Sequence, residues 1–337
     1  MPDRTAPVLR PLTLALLSRL TAERFISGEE LAKALGVSRR SIMTAAHEAA
    51  DAGVEVFAVP RKGYRLAAPL ELLDLKTIHA AMGKAARRVD LDTVPVIDST
   101  NSAIAARLAN GAPSGTSLAA EWQSAGRGRR GRTWAMPFGA GLTFSVGWRF
   151  ARTAAELSGL SLAVGVAVAR AIEHFQGSHP QHRVMLKWPN DIVCDGRKLG
   201  GILIESQGDM LGPVAVTIGI GLNVRLPEDF AERVDQPIAD VAFACGAPVA
   251  RNVLLARLLT ELVATLDEFQ AHGFAPLREA WLQRHAFAGV PVRVQPGDGT
   301  WFDATVRGVA EDGSLIVRRA GEAVLLHGGE INVRKKP

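Results

Sequence analysis

Residues 126–132 are the most unusual run in the sequence, because four arginines alternate with three glycines and no apolar side chain stands among them. A helix or strand that faces a core needs apolar residues, so the run predicts a loop. Arginine presents a planar fork of donors suited to carboxylate and phosphate oxygens, and glycine lets the backbone approach a ligand closely. We expect a mobile loop that becomes ordered around an anion. The alternative is a solvated basic loop that binds nucleic acid or nothing.

The run also matches G-x-G-x-x-G, a pattern that is weak by itself. In dinucleotide-binding folds a helix begins inside this motif, whereas here Pro137 and Gly139 would interrupt that helix. No Gly-Lys-Ser/Thr triplet follows, which excludes a P-loop. The loop is therefore not interpreted as a nucleotide fingerprint of either kind.

Polar clusters stand at the ends of predicted strands, at residues 98–102, 187–191, 197–201 and 219–224. Each has a structural explanation of its own, because short hydroxyl and amide side chains cap helices and a Pro-Asn-Asp run favours a turn. Together with the arginine loop they predict one anion-rich site that activates an electrophile through positive charge. No Cys–His set, Ser–His–Asp set or pair of carboxylates stands out, so covalent catalysis and acid–base hydrolysis are not expected.

The composition is that of a globular protein with two or three domains: 337 residues, 47% hydrophobic and 22% charged. The net charge of +5 permits a phosphate-bearing partner without requiring one. Two cysteines, Cys194 and Cys245, give no disulfide framework and no metal-ligand spacing. No apolar stretch reaches the roughly 20 residues of a membrane span, and no convincing signal peptide is present. We expect a soluble, cytoplasmic protein without a membrane segment.

The elements that must position these residues fall into an α+β arrangement of three segments. Residues 1–70 read as helices followed by a β-hairpin, which is the outline of a winged helix-turn-helix DNA-binding domain. Residues 75–285 mix strands and helices, which suggests an α+β or α/β domain. Residues 287–337 show short alternating strands with Gly-Asp turns, as in a small β-barrel.

In the first segment, the helix that follows Ser38 is the predicted recognition helix. Base reading needs polar or charged side chains on its outer face, and a basic wing can reach phosphates. The candidate DNA contacts are Arg39, Arg40, Ser41, Thr44 and His47 on the helix, with Arg61 and Lys62 in the wing.

At this point the sequence closely resembles the bifunctional biotin–protein ligases of bacteria, the biotin operon repressor type, over nearly its whole length. The matching motifs, in the family's order and approximate spacing, are DSTN at 98–101, QSAGRGRRGR at 123–132, KWPND at 187–191, RKLGGILIE at 197–205 and GIGLN at 219–223. The resemblance implies that residues 75–285 form a mixed-sheet catalytic domain of the biotin/lipoate ligase type and that the C-terminus is an SH3-like β-barrel.

The resemblance also implies a reaction in two steps. Biotin and ATP, with Mg²⁺, give biotinyl-5′-AMP and pyrophosphate, and the activated carboxyl is then transferred to one lysine of the biotin carboxyl carrier protein of acetyl-CoA carboxylase. Catalytic roles are carried over to Arg129 and Lys198, and no residue is assigned as a metal ligand. The biotin contacts implied are Ser99, Thr100, Asn101, Gln123, Arg127, Gly128, Arg129 and Lys198. The ATP contacts implied are Arg129, Arg132, Trp134, Lys187, Asn190, Lys198 and Asn223.

The family further implies a homodimer, promoted by biotinyl-5′-AMP, that binds a two-fold operator DNA and represses transcription. Met43, Ala45 and Ala46 stand where repressors of the family carry more polar residues, so a ligase whose winged helix no longer represses is an alternative. A lipoate–protein ligase is a second alternative, against which the arginine loop and the terminal barrel argue. A transcription factor that senses a small anion without any transferase activity is a third.

Overall fold

The computed structural model describes residues 9–178, 180–208, 212–295, 300–327 and 332–335. The N-terminal part has three helices and a hairpin: α1 (Pro11–Leu17), α2 (Gly28–Leu35), α3 (Arg39–Asp51), β1 (Val56–Val59) and β2 (Gly63–Leu66). The Ser27 and Ser38 hydroxyls accept hydrogen bonds from the first-turn amides of α2 and α3, and Gly36 ends α2 in the left-handed conformation. The predicted winged helix-turn-helix is confirmed.

The central part holds six helices and seven strands. The helices are α4 (Leu75–Met82), α5 (Thr100–Ala109), α6 (Leu160–Glu173), α7 (Val241–Cys245), α8 (Arg251–His272) and α9 (Arg278–Leu282). The strands are β3 (Asp90–Ile97), β4 (Thr116–Gln123), β5 (Gly141–Phe150), β6 (Val184–Lys187), β7 (Asp191–Cys194), β8 (Arg197–Gln207) and β9 (Val214–Asn223).

These strands form one mixed sheet in the order β3-β4-β5-β9-β8-β7-β6, in which β3 and β4 are parallel and the other neighbours antiparallel. Successive side chains of a strand point to opposite faces. On β5 the residues Phe144, Val146 and Trp148 join α6 and α8 in the main core. On the other face Gly147 lies against Leu108 and Ile104 of α5. The candidate site lies on this α5 face.

The C-terminal part is a five-stranded antiparallel sheet in the order β13-β12-β11-β10-β14. Its strands are β10 (Pro291–Gln295), β11 (Phe302–Val309), β12 (Leu315–Arg319), β13 (Glu322–Leu326) and β14 (Asn332–Lys335). β13 and β14 are the two end strands, and the described residues do not close into a barrel. The antiparallel sheet predicted from the alternating pattern is confirmed, whereas its SH3-like closure stays a prediction.

One helical stretch of the described residues, Ala155–Glu173, is apolar and long enough to cross a membrane. Most of it is buried in the core of the central part, where Val164, Val166 and Ile172 pack beneath the sheet. A core helix of a folded domain has this property, so the stretch carries no indication of a membrane span.

Candidate active site

A pocket opens on the α5 face of the sheet, between the N-terminus of α5, the ends of β4, β8 and β9, and the glycine–arginine loop. It contains about 690 Å³ of space outside protein atoms, part of which is open to solvent. Its lining includes the predicted ligand residues Ser99, Thr100, Asn101, Gln123, Arg127, Gly128, Arg129, Arg132, Trp134, Asn190 and Lys198. The tertiary structure thus brings together residues that lie up to a hundred positions apart.

The end of the pocket next to α5 is built from neutral polar groups. Gln123 Oε1 accepts hydrogen bonds from Thr100 N (2.7 Å) and Thr100 Oγ1 (3.0 Å). Ser145, fully buried on β5, lies with its Oγ 2.8 Å from Thr100 Oγ1 and 2.6 Å from Asn101 Oδ1. Ser99 caps the helix by accepting from Ser102 N. This network fixes the side chains of the helix start in one arrangement, as recognition of a neutral polar head group requires.

Two glycines of β9 make room for the pocket walls. A methyl group added at Gly219 would overlap the Asn101 amide, and one at Gly221 would overlap the Trp134 indole. Glycine at both positions leaves room for these two groups against the sheet.

The glycine–arginine loop folds back over the pocket as a closed turn. Gly128 N donates to Arg132 O (2.7 Å) and Trp134 N donates to Gly126 O (2.8 Å). Arg130 and Gly131 have φ values of 60° and 68°, in the left-handed region that favours glycine. The predicted loop lines the pocket; its ordering around an anion stays a prediction.

Two of the loop arginines are held by side chains of the sheet. Arg129 Nη1 donates to Asn190 Oδ1 (3.1 Å), and Asn190 Nδ2 in turn donates to Ile202 O (2.9 Å). Arg127 Nη2 donates to Glu205 Oε2 (2.9 Å). Burial, together with the neighbouring charges of Arg130 and Arg132, lowers the pKa of the Arg129 guanidinium. Arginine nevertheless stays protonated, so the pocket keeps this positive charge.

Lys198 supplies the second buried cation. Its Nζ lies 2.8 Å from Asp191 Oδ1 across the β7–β8 pair and 5.8 Å from the Trp134 ring centroid, and the lysine and aspartate side chains are 13% and 17% exposed. A β-bulge between Ile192 and Val193 shifts the register of β8 just beside Lys198. The carboxylate holds the ammonium group at the pocket wall, where it can approach an anionic ligand.

Two predicted ATP contacts do not line the pocket. Lys187 Nζ lies 5.4 Å from the ring centroid of Phe287, at the boundary with the C-terminal sheet. Asn223 is 4% exposed and its Nδ2 donates to Lys198 O (3.2 Å) and Ala239 O (2.9 Å). In this structure Asn223 holds the backbone of Lys198, so any effect of Asn223 on a bound nucleotide would be indirect.

Several residues around the pocket were missed from the sequence. Ser145 and Glu205 form hydrogen bonds with the predicted ligand residues Thr100 and Asn101. Gln236, Thr133 and Thr143 also line the pocket. A serine inside the apolar strand β5 was the available signal for Ser145. Trp188, in the polar cluster at residues 187–191, is 4% exposed, and its Nε1 donates to Gly313 O (3.1 Å) of the C-terminal part.

The N-terminal part presents the predicted DNA contacts on one exposed side of α3. Arg39, Arg40, Thr44 and His47 are exposed, whereas Ser41 is half-buried and belongs to the Ser38 cap. Arg61 and Lys62 are exposed in the wing, and Arg61 has φ 65°.

The three apolar residues of α3 that differ from the family's repressor pattern are not equally buried. Ala45 and Ala46 are 2% and 7% exposed, so they belong to the core and polar residues are not required there. Met43 is 49% exposed and is an apolar residue on the exposed side of α3.

Comparisons with known proteins agree with this geometry. Residues 93–223 match the Biotin/lipoate A/B protein ligase family, and residues 13–65 match the HTH domain. The bifunctional ligase/repressor BirA of Salmonella typhimurium is 36% identical over 338 residues, covering 99% of both chains. BirA of Bacillus subtilis is 31% identical, covering 92% of this chain and 94% of its own.

Two further relatives match a smaller share of this chain. The biotin–[acetyl-CoA-carboxylase] ligase of Mycobacterium tuberculosis is 34% identical, covering 79% of this chain and 97% of its own. The biotin protein ligase of Aquifex aeolicus, solved with biotin and ATP, superposes with a TM-score of 0.61 at 24% identity, over 73% of this chain and 99% of its own. At that identity the superposition establishes the fold. From its pocket, its winged helix and these relatives, the chain belongs to the biotin–protein ligase family, in the branch of the bifunctional ligase/repressors.

Proposed function

We propose that the chain joins biotin to a lysine of a carrier protein through biotinyl-5′-AMP. The observation that carries this proposal is the convergence of the neutral network around Thr100, Asn101 and Gln123 with the cations Arg129 and Lys198 in one pocket. A neutral polar end suits the ureido head of biotin, and a cationic end suits its carboxylate and the phosphates of ATP.

In the first step, a carboxylate oxygen of biotin attacks the α-phosphorus of ATP, and the bond to pyrophosphate breaks. Both reactants are anions, so their repulsion is part of the barrier. Lys198 and Arg129 would hold the two groups in line and offset the charge on the reacting phosphate, with Arg132 beside them. In the second step, the lysine amine attacks the acyl carbon, AMP leaves, and the ammonium nitrogen loses its proton.

Mg²⁺ would accompany ATP and neutralise the pyrophosphate that leaves. Magnesium in such sites is held mostly by phosphate oxygens, waters and one or two carboxylates. The described residues contain no cluster of three His, Cys, Asp or Glu side chains, and Asp191 is the carboxylate paired with Lys198. This composition fits a metal that enters bound to the nucleotide.

The loop has a second role in this proposal, because biotinyl-5′-AMP is hydrolysable. A loop that is closed over the pocket excludes water and retains the intermediate until a carrier lysine arrives. The carrier would be the biotin carboxyl carrier protein of acetyl-CoA carboxylase.

The test is to incubate the full chain with biotin, MgATP and a purified carrier domain and to measure a biotin-sized mass increase on one lysine. Transfer of lipoate instead of biotin would support a lipoate–protein ligase. A ligand-dependent shift of DNA without any transfer would support a pure sensor.

A second function, ligand-dependent repression, is favoured by the exposed basic side of α3. We infer that Arg39, Arg40, Thr44 and His47 read bases, with Ser41 at the helix start, and that Arg61 and Lys62 contact phosphates. A homodimer promoted by biotinyl-5′-AMP would present two such helices to a two-fold operator. Sedimentation with and without biotin and ATP tests the dimer. Footprinting on DNA upstream of the biotin-synthesis genes of the source organism tests the operator.

The finer architecture is also part of the proposal. We infer that residues 1–70, 75–285 and 287–337 are the three domains, that the last closes into an SH3-like barrel, and that the protein works in the cytoplasm, where ATP and the carrier occur. Limited proteolysis followed by mass spectrometry tests the domain boundaries.

A further inference from the structure

Glu205 joins the glycine–arginine loop to the start of α5. A single oxygen, Oε2, accepts hydrogen bonds from Arg127 Nη2 (2.9 Å) and from Asn101 Nδ2 (2.8 Å). Asn101 is 5% exposed and is also in contact with Ser145, so its amide is fixed before the loop closes. The carboxylate thus connects a rigid part of the pocket with a loop that must move.

Glu205 lies outside the space where a ligand would bind, whereas Arg127 borders it. Glu205 is absent from the lining of the main pocket and instead lines an adjacent recess formed by the loop and Leu203. Arg127 lines both spaces, so one side of its guanidinium faces the pocket while Nη2 is bonded to Glu205. A ligand can therefore enter without breaking this contact.

From this arrangement we propose that Glu205 is a positioning residue that holds the loop closed over the bound intermediate. It acts through Arg127 and touches neither substrate. The side chains of Arg127 and Glu205 are 45% and 33% exposed, so the pair is partly screened by water and its effect is modest. The inference rests on the proposed function only for its consequence, the retention of biotinyl-5′-AMP; closure of the loop itself can be measured without ligand.

The first experiment measures loop opening in the ligand-free full chain by limited digestion with trypsin, which cleaves after arginine. Glu205→Gln keeps the size of the side chain and removes its charge. We expect cleavage within residues 127–132 to become about twofold to fivefold faster, the range expected from losing a partly exposed ion pair. Asp92→Asn is the matched control, because it removes the charge of another exposed pair, with Arg107, on the edge strand β3, and should leave the cleavage rate unchanged. Equal or slower cleavage in Glu205→Gln overturns the proposal.

The second experiment measures release of preformed biotinyl-5′-AMP after a chase with unlabelled biotin and ATP. Release should be faster in Glu205→Gln at low salt, and added salt should bring the parent towards the variant because it screens the pair. In an Arg127→Gln background the same substitution should add nothing. A further increase there would mean that Glu205 acts through Asn101 alone, which contradicts the proposal. Failure of the proposed ligase function would appear separately, as a parent chain that forms no adenylate, and the trypsin result would still decide the role of Glu205.

Discussion

Lys198 combines burial, a fixed partner and a position at the pocket wall, and these properties together suit it for catalysis. An exposed lysine samples many conformations, whereas the ion pair with Asp191 restricts this one to a single location. Removing it also leaves the carboxylate of Asp191 near the incoming anions, so the loss of attraction is accompanied by repulsion.

We therefore predict that Lys198→Ala lowers the rate of pyrophosphate release from biotin and ATP by about 100-fold or more, the scale of losing one preorganised electrostatic contact in a transition state. Lys76→Ala, an exposed lysine on α4, serves as the control for a general loss of charge. A Lys198→Ala protein that adenylates biotin at the parental rate would remove Lys198 from the mechanism.

Arg129 has a separate role in retention, because it bonds Asn190 on the sheet and lies in the loop. We predict that Arg129→Gly loosens the intermediate, so that biotinyl-5′-AMP escapes and labels bystander lysines. The measurement is the biotinylation of an added unrelated protein by streptavidin blot. Equal retention of the adenylate in variant and parent would show that the role given to Arg129 is wrong.

Strand β9 shows how an element shapes the site by what it lacks. Gly219 and Gly221 occupy alternate positions on the α5 face, while Ile218, Ile220 and Leu222 enter the core. Larger residues would not prevent this strand from pairing with its neighbours. The role of the two glycines is therefore to make room for Asn101 and Trp134.

We predict that Gly221→Ala displaces the Trp134 indole and weakens ATP binding, because the added methyl overlaps that ring. Overpacking of this kind commonly costs about 1–3 kcal/mol, which corresponds to a rise in the KM for ATP of roughly fivefold or more. Gly177→Ala is a suitable control, since an added methyl there meets nothing within 4 Å. An unchanged KM for ATP in Gly221→Ala would contradict the role of Trp134.

The connection after α9 contains a buried histidine. His285 is 4% exposed, stacks on Trp281 and forms a parallel bridge with Leu186 of β6. Burial lowers the pKa of His285 to about 4. Since the unfolded chain binds a proton near pH 6.5 and the folded chain does not, the stability contributed by neutral His285 is present above pH 6.5 and is lost as the pH falls towards 4.

We predict that the melting temperature of the parent falls between pH 6.5 and pH 4 and that His285→Gln, which cannot be protonated, reduces this fall. Thermal unfolding followed by circular dichroism across that range is the measurement. An identical pH dependence in both proteins would show that another group causes the acid sensitivity.

Across the whole molecule, the chain that leaves the active-site loop enters the core of the winged helix. Phe138 is 3% exposed and packs with the buried residues of α1, α2 and α3, and its backbone N donates to Ala52 O (3.4 Å). The connector at residues 71–74 is held by α8, because Asn252 Nδ2 donates a hydrogen bond to Leu72 O. Next to Asn252, Arg251 forms an ion pair with the buried Glu121. The DNA-binding part is therefore packed against the catalytic part through specific contacts.

We predict that Phe138→Ala removes about 3 kcal/mol or more from the stability of the winged helix, the usual cost of a large-to-small change at a buried aromatic residue. Relative to the parent, amide hydrogen exchange in the variant should accelerate more in α1 and α3 than in β5 or β9. Uniform acceleration throughout the chain, or none, would contradict a local role for Phe138.

The sequence by itself determined the nature of the loop and the winged helix, because these depend on local chemistry. The motif resemblance named most of the residues that line the pocket. Glycines with arginines exclude core packing, serines before acidic or basic turns cap helices, and the polar strand ends follow regular apolar runs. The motif resemblance then supplied the reaction.

Only the tertiary structure decided which residues share a surface, because that depends on the strand order β3-β4-β5-β9-β8-β7-β6 and on which side of each strand faces α5. For this reason Lys187 and Asn223 lie outside the pocket, Trp188 is buried against the C-terminal sheet, and Glu205 meets Arg127. Local patterns specify the face alternation within a strand, but the neighbours of a strand are set by long-range packing.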